Sequence, residues 1–297
     1  MIKLTRGHIG IGVIPSFLFG SLFALILGYE FNLYIFLWGF LIIFLIYASA
    51  AYINDYYDFE ADQYNRQFGF SGGSGVLQKH PHLKGLTKIL AIIFIILSLI
   101  FTVILSYYTF IPFWSVGFIA IGGFFSWFYS GPPIRFSYRG MGEFPHFLAG
   151  FMNTTWGYIL LTGTFDLQIL IFAIPFSLHL LNVILIFEIP DKEADIHGGK
   201  RNFIVNHGRK KSYLLISIIF WISTLYFMIL AFSQWYVNYI NFWILALISV
   251  IPSLYSSYTY LKKPFEQKKA TFYAIRNAVA LFTISIVILI YFISLQF

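Results

Sequence analysis

The chain has 297 residues, of which 59% are hydrophobic and only 10% are charged, and its mean hydropathy is +0.78. Because about a quarter of the residues in a soluble domain are charged, this composition excludes an ordinary water-soluble globular protein. The formal charge of +7 suits contact with anionic lipid headgroups or an anionic substrate, and nothing indicates nucleic-acid binding. The sequence has no cysteine, which excludes disulfides, thiolate metal sites and a cysteine nucleophile.

Seven stretches lack Asp, Glu, Lys and Arg, and each is long enough to cross a bilayer as a helix. Two of them are long enough for two crossings, with natural breaks at Ser106–Pro112 and Ser233–Asn241. The sequence therefore predicts an all-α, polytopic membrane bundle of nine transmembrane helices, which forms a single domain over residues 1–297. The seven stretches are 9–29, 31–54, 89–134, 144–165, 167–187, 212–261 and 277–297.

The distribution of charge supports this helix count. Nine spans place all 19 Lys and Arg residues on one face of the membrane, while Glu30 and Asp166 are the charged residues of the other face. Loops rich in Lys and Arg stay in the cytoplasm. We therefore expect the amino terminus and the long connectors 55–88 and 188–211 to be cytoplasmic, with a central cavity that opens to that side.

The first acidic cluster follows the stretch 31–54. Asn54, Asp58 and Asp62 are spaced four residues apart, and Asp55 precedes Asp58 by three residues. On a helix these positions share one face, where like charges repel each other. Such a face would be weakened unless something positive binds to it.

A second acidic cluster contains Asp191 and Asp195, again four residues apart, with Glu188 and Glu193 nearby. In the predicted topology both clusters emerge at the same level on the same face. Mg²⁺ is typically held by one or two carboxylates together with substrate phosphates. Two facing clusters therefore predict a site that binds Mg²⁺ and a diphosphate, and the expected catalytic metal ligands are Asp58, Asp62, Asp191 and Asp195.

Basic residues near these clusters are candidates for a diphosphate cradle. Those expected to bind substrate are Arg6, Lys79, Arg135, Arg139 and Lys200, with Arg201 beside the last. For Arg135 and Arg139 the alternative is simple anchoring at a positively charged membrane face.

Two other interpretations of the acidic clusters stay open. The acids are either solvated charge at helix ends or the translocation site of a transporter. Transporters tend to bind their ions near the bilayer midplane, whereas both clusters here lie at one boundary. That placement favours an enzyme that opens to one side.

At these residues the chain resembles the UbiA superfamily of intramembrane prenyltransferases. The family pattern N-D-x-x-D-x-x-x-D matches residues 54–62, and its second motif, D-x-x-x-D, matches residues 191–195. The resemblance implies Mg²⁺-dependent transfer of a polyprenyl group from its diphosphate to an acceptor, usually an aromatic one. With it we expect Asn54, Asp55 and Tyr129 to bind substrate, and Asn54 to support the first motif by ligand or hydrogen-bond contact. Aromatic rings can stabilise an allylic cation, and those closest to the expected site are Tyr56, Tyr57 and Tyr129.

Finer features are similar to the 1,4-dihydroxy-2-naphthoate prenyltransferases of menaquinone synthesis. The matching segments are residues 72–77, 138–143 and the pair Gly199–Lys200. In that branch the ring carboxylate leaves as CO₂, and Arg139 or Arg135 would hold it beforehand. The segment 187–190 departs from the branch, so other acceptors stay open, namely 4-hydroxybenzoate, a homogentisate-like phenol or a lipid alcohol.

Overall fold

The computed structural model describes residues 7–64, 71–236 and 238–296, and every regular element within these ranges is a helix. The predicted all-α class is therefore confirmed. The long helices are α1 (Gly7–Ile26), α2 (Leu33–Tyr57), α5 (Lys84–Tyr108), α6 (Trp114–Phe128), α7 (Glu143–Thr162), α8 (Leu167–His197), α9 (Phe203–Phe232), α10 (Phe242–Lys262) and α11 (Gln267–Ser294). Two single-turn helices, α3 (Phe59–Asp62) and α4 (Val76–Lys79), lie in the connector between α2 and α5.

The two predicted breaks fall where the structure interrupts its helices. The chain leaves α5 at Tyr108 and enters α6 at Trp114, and it leaves α9 at Phe232 and enters α10 at Phe242. Six helices in the described part of the chain are long and apolar enough to cross a membrane. The protein is thus a multi-pass integral membrane protein, while the count of nine crossings and the cytoplasmic orientation remain predictions.

Helix α5 shows how the bundle faces lipid. Its exposed face carries Ile89, Ile96 and Ile100, which are 56%, 49% and 45% exposed. Its buried face instead carries small or hydroxylated residues such as Ala91 and Thr102. This arrangement is inverted relative to a soluble protein, because lipid replaces water and small residues allow helices to approach closely.

Helices α1 and α7 approach so closely that two glycines are required between them. A Cβ atom at Gly20 would lie 1.7 Å from the carbonyl oxygen of Thr154, and one at Gly157 would lie 2.1 Å from that of Phe17. The Ser21 hydroxyl adds a 3.1 Å hydrogen bond to the Gly157 carbonyl. Because both clashes are with backbone, one helix would have to move to relieve either of them.

Substitution of Gly20 by alanine is therefore expected to destabilise the protein by about 1–3 kcal/mol, the usual cost of overpacking. The measurement is thermal unfolding of the purified protein in detergent. Gly117→Ala on α6 is the matched control, because nothing lies within 4 Å of a Cβ atom at that position. Equal melting temperatures for the two variants would contradict the close approach of α1 and α7.

Helix α8 organises the bundle, since it packs against α7, α9, α11 and α1. At its amino-terminal end, Phe172 stacks on Phe23 with ring centroids 4.0 Å apart, and Phe176 stacks on Phe19 at 4.2 Å. These rings fill the bundle at the end where Asp166 caps α8. The second acidic cluster lies at the opposite end of the same helix.

Candidate active site

A cavity of about 240 Å³ lies between α1, α2, α6, α7 and α8. Much of its wall within the bundle is apolar and includes Ile43, Ile46, Ile119, Met152 and Leu180. Its polar lining includes Asn54, Asp62, Asp191, Asp195 and Lys200, whereas Asp58 is fully buried and is not part of the lining. The cavity thus joins an apolar chamber to an acidic end.

The first acidic cluster spans the end of α2, the junction residue Asp58 and the short helix α3. Asp58 lies between α2 and α3, where its backbone N–H donates to the Asn54 carbonyl at 2.8 Å and its own carbonyl accepts from the Asp62 N–H at 2.8 Å. The predicted shared face is therefore largely retained, and the Asn54 side-chain amide donates to Asp58 Oδ2 at 2.7 Å. All three acids of this cluster, Asp55 included, are buried.

The structure brings the two acidic clusters together through Lys200. Its Nζ atom lies 2.7 Å from Asp58 Oδ2 and 3.3 Å from Asp195 Oδ1, so one ammonium group bridges the ends of α2 and α8. The backbones are also close, because a Cβ atom at Gly198 would lie 2.2 Å from the Cβ of Ala61. The sequence-based expectation that the two clusters meet at one end of the bundle agrees with this geometry.

The charge of Lys200 is held firmly by its surroundings. Burial alone would lower the pKa of this ammonium, but attraction to Asp195, Asp58 and Asp62 outweighs burial and raises the pKa well above its ordinary value. Lys200 is therefore protonated throughout the physiological pH range. The junction of the two clusters is a place that attracts a cation.

The glycine segment, residues 71–75, joins the two clusters from a different side. The Ser71 hydroxyl donates to Asp191 Oδ1 at 2.6 Å, and the Gly72 N–H donates to Asp191 Oδ2 at 2.7 Å. The Ser74 hydroxyl and N–H both donate to the carboxylate of Asp55. Asp55 thus anchors the segment to α2 and is absent from the cavity lining, although it was expected to bind substrate.

Gly73 of this segment packs directly against Asp62. A Cβ atom there would lie 1.9 Å from Asp62 Oδ2, so any side chain at position 73 would displace that carboxylate. Gly73→Ala is expected to reduce the kcat/KM of the reaction at this site by about 10- to 100-fold, the usual effect of changes that reorient a metal-binding side chain. Gly85→Ala, where a Cβ atom meets nothing within 4 Å, should leave the rate unchanged. Equal rates for the two variants would remove Asp62 from the functional site.

Two residues that the sequence interpretation did not single out hold the acids in place. The Tyr138 hydroxyl donates to Asp58 Oδ1 at 2.7 Å, and the Asn202 amide donates to Asp195 Oδ2 at 2.7 Å. Burial, and then the negative charge of Asp58, raise the pKa of Tyr138, which keeps its phenol in the donating form. Tyr138 lies in the connector before α7, far along the chain from Asp58, and Asn202 lies beyond the end of α8. Spacing in the sequence therefore does not reveal either contact.

The predicted basic residues divide into two groups. Lys200 lines the cavity, whereas Lys79 and Arg139 are exposed and are not part of its lining. Arg139 donates to the Pro133 carbonyl at 2.9 Å, and Arg135 stacks over the ring of Tyr138 at 3.7 Å. Arg6 lies outside the described residues.

Tyr129 lies on the cavity wall, as the proposed role of its ring requires. The ring packs edge-on against His146, with centroids 4.9 Å apart, and both residues line the cavity. His146 in turn contacts the Gly142 carbonyl through Nδ1 at 3.2 Å.

The donor set fits a hard divalent cation that is shared with a substrate. Carboxylate oxygens from two helices converge where Lys200 already provides one positive charge. Within the described ranges, no three His, Cys, Asp or Glu side chains form a ready-made metal centre. Mg²⁺ is typically held by one or two carboxylates together with substrate phosphates, and the carboxylates of the two helices are ligands of that kind.

The protein is thus a helical membrane bundle whose apolar cavity carries carboxylates at one end. The sequence model of the UbiA prenyltransferase family matches residues 13–287. The chain therefore belongs to the UbiA prenyltransferase family. Comparison with curated protein sequences gives no significant match.

Solved structures share this fold. A UbiA homologue from Archaeoglobus fulgidus superposes with a TM-score of 0.72 at 15% identity, over 99% of this chain and 98% of that one. A structure of a UbiA homologue from the same organism bound to GPP and Mg²⁺ gives 0.65 at 15% identity, over 95% and 99%. A digeranylgeranylglyceryl phosphate synthase gives 0.64 at 20% identity, over 100% and 99%. At these identities the likeness establishes the fold alone.

Proposed function

We propose that this protein transfers a prenyl group from a polyprenyl diphosphate to an acceptor in a reaction that requires Mg²⁺. One observation carries the proposal. Asp58 and Asp195, from the ends of two different helices, reach a single cation, the ammonium of Lys200, beside an apolar cavity. The acidic end suits a metal-bound diphosphate, and the apolar chamber suits a hydrocarbon chain.

Four carboxylates, two from each cluster, are assigned to Mg²⁺ in this proposal, with more than one ion around the diphosphate. They are Asp58, Asp62, Asp191 and Asp195. When bound, Mg²⁺ acts as a Lewis acid that neutralises charge on the departing diphosphate. Lys200 pairs with the diphosphate oxygens, and Asn54 orients Asp58 through its 2.7 Å hydrogen bond. The apolar wall excludes water from the reacting carbon.

The covalent change is a substitution at the allylic C1 of the donor. The C1–O bond breaks, and its electron pair leaves with the diphosphate. A nucleophilic atom of the acceptor forms the new bond to C1 and gives up a proton. If the acceptor is 1,4-dihydroxy-2-naphthoate, the ring carbon that bears the carboxylate attacks, and CO₂ leaves in place of the proton.

The acceptor is the finer part of the proposal. Sequence resemblance favours 1,4-dihydroxy-2-naphthoate, and therefore a place in menaquinone synthesis. The cavity lacks the support expected for its carboxylate, since neither Arg135 nor Arg139 belongs to the described lining. A lipid alcohol is the second candidate, because one structural neighbour is a digeranylgeranylglyceryl phosphate synthase that covers the whole chain.

The test uses the full chain in lipid nanodiscs with geranylgeranyl diphosphate and a panel of these acceptors. We expect prenylated product by mass spectrometry and equimolar release of diphosphate, both abolished by EDTA and restored by Mg²⁺. Failure to release diphosphate with any acceptor in the presence of Mg²⁺ would contradict the proposal.

Sealed liposomes separate this proposal from a transporter. An enzyme releases diphosphate on the side where the donor was added, and no donor crosses the bilayer. Movement of intact donor into the vesicles without diphosphate release would favour transport.

A further inference from the structure

The second acidic cluster lies beyond a weak point in α8. Pro190 is inside this helix and immediately precedes Asp191. Proline has no backbone N–H, so residue 190 cannot donate the usual helical hydrogen bond to the carbonyl of Ile186, and its ring crowds that carbonyl. The end of α8, which carries Asp191 and Asp195, is therefore joined to the rest of the helix less firmly than in an unbroken helix. Its position depends on what contacts it from the side.

On the cavity side, the two carboxylates themselves make the contacts of this helix end. The glycine segment donates to Asp191, while Asn202 and Lys200 contact Asp195. In the proposed reaction the same carboxylates bind Mg²⁺, so these contacts must be shared with the metal or exchanged for it. A helix end held by them alone would be free to shift as the metal binds.

A second contact holds the same helix end from its opposite face. Glu193 lies two residues from both Asp191 and Asp195, which at about 3.6 residues per turn places it on the other side of α8. Its carboxylate accepts two hydrogen bonds from Arg209, Nη1 to Oε1 at 2.8 Å and Nη2 to Oε2 at 2.6 Å. Arg209 Nη1 also donates to the Phe265 carbonyl at 3.3 Å. Neither Glu193 nor Arg209 belongs to the described cavity lining, so Mg²⁺ bound in the cavity would not compete for this pair.

The surroundings of Arg209 fix its direction. Its side chain is 8% exposed, and the preceding Gly208 has a φ of 78° and a ψ of 167°, a conformation that glycine adopts far more readily than other residues. This turn in the backbone of α9 comes just before the guanidinium group that reaches α8. Two parallel N–H···O bonds also set the orientation of the two groups, which a single ammonium contact does not. Arg209 thus ties the end of α8 to α9 and to the connector between α10 and α11.

We infer that Arg209 is a positioning residue for the metal site, which acts through Glu193 to hold Asp191 and Asp195 where Mg²⁺ and the diphosphate require them. The inference rests on the proposed Mg²⁺-dependent prenyl transfer and adds to it a residue outside the cavity. Arg209 reduces the rearrangement that the helix end must undergo when the metal binds. Its removal should therefore weaken Mg²⁺ binding and have little effect on the chemical step once Mg²⁺ is saturating.

The test measures how much Mg²⁺ the full-length protein in nanodiscs needs in order to bind geranylgeranyl thiodiphosphate, an unreactive donor analogue. Arg209→Met and Glu193→Gln are each expected to raise the Mg²⁺ concentration for half-maximal binding by about tenfold, the lower end of the usual effect of residues that orient metal ligands. The kcat of prenyl transfer at saturating Mg²⁺ should change much less. Lys210→Met is the control, because Lys210 is the next residue of α9, is exposed and also loses one positive charge.

A double variant shows whether Arg209 acts through Glu193. If it does, Arg209→Met combined with Glu193→Gln needs the same Mg²⁺ concentration as either single variant. Independent effects would instead multiply to about 100-fold, and that result would overturn the inference. Arg209→Lys keeps the charge and loses the paired hydrogen bonds, so its Mg²⁺ requirement should lie between those of Arg209→Met and the unmodified protein.

The outcomes separate the inference from the proposed function. A lower melting temperature of Arg209→Met in EDTA, together with an unchanged Mg²⁺ requirement, would reduce the pair to a structural contact and overturn the inference, while prenyl transfer would stand. Absence of diphosphate release from the unmodified protein at every Mg²⁺ concentration would contradict prenyl transfer itself. If Arg209→Met does not fold, Arg209→Lys and Glu193→Gln decide the question, and an unchanged Mg²⁺ requirement in both would overturn the inference.

Discussion

Replacement of Asp58 by asparagine is expected to lower Mg²⁺-dependent prenyl transfer by about three orders of magnitude, because a bound metal contributes several kcal/mol to transition-state stabilisation. Asp58 is fully buried at the joint between α2 and α3. Its carboxylate accepts hydrogen bonds from Tyr138 and Asn54 and pairs with Lys200, each at 2.7 Å. Asparagine keeps the volume and removes the charge, so the loss should appear in the chemical step.

The matched control is Asp166, at the amino-terminal end of α8 and away from the acidic clusters. Asp166 caps that helix by accepting from the N–H groups of Gln168 and Ile169, and asparagine is an equally good capping residue. Asp166→Asn should therefore keep its activity. Size-exclusion chromatography and circular dichroism would verify that both variants fold. More than a tenth of the original rate in folded Asp58→Asn would remove this residue from the metal site.

Much of the fold follows from local sequence. Crossing length and apolar composition suffice to locate the helices and the break at Ser106–Pro112. They do not fix every helix end, because α8, α9 and α11 extend into the charged segments beside the apolar stretches. The sharing of one face by Asn54 and Asp58 also follows from spacing, because residues four apart on a helix are neighbours. The meeting of the two acidic clusters required only that α2 and α8 end on the same side of the bundle.

Long-range side-chain contacts were not predictable in the same way. Ser71 bonds to Asp191 across 120 residues, and Tyr138 bonds to Asp58 across 80. Such pairs depend on how connectors fold over the bundle, and no period in the sequence encodes that. The role of the glycine segment as a tie between the clusters therefore emerged only from the structure.

The basic residues illustrate the same limit. Lys79 ends α4, and Arg139 and Lys200 each follow a helical segment, yet of these three residues only Lys200 lines the cavity. Gly199 explains the difference, since its φ of 74° turns the chain back and lets the Lys200 N–H donate to the Asp195 carbonyl at 2.9 Å. A glycine just beyond a helix end is a known signal for such a reversal. That signal could have ranked Lys200 above the other two.

Lys200→Met is expected to cost about 3–5 kcal/mol of stability when EDTA is present, the usual penalty for removing one partner of a buried ion pair. Methionine approximates the length of the side chain without its charge. Asp58, which is fully buried, and Asp195, which is 5% exposed, would then repel each other without an intervening cation. The measurement is the melting temperature of the purified protein with EDTA and with increasing Mg²⁺.

Because Mg²⁺ is assigned to the same carboxylate oxygens, it should stabilise Lys200→Met more than it stabilises the unmodified protein. A ligand that binds the folded state raises its stability according to its affinity, and removal of a competing ammonium raises that affinity. Lys269→Met is the control, since Lys269 is 72% exposed and forms only a surface pair with Glu266. That variant should melt like the unmodified protein under both conditions. If Mg²⁺ shifts the melting temperature of Lys200→Met no further than that of the unmodified protein, then Lys200 and the metal do not share Asp58 and Asp195, and the site must hold them side by side.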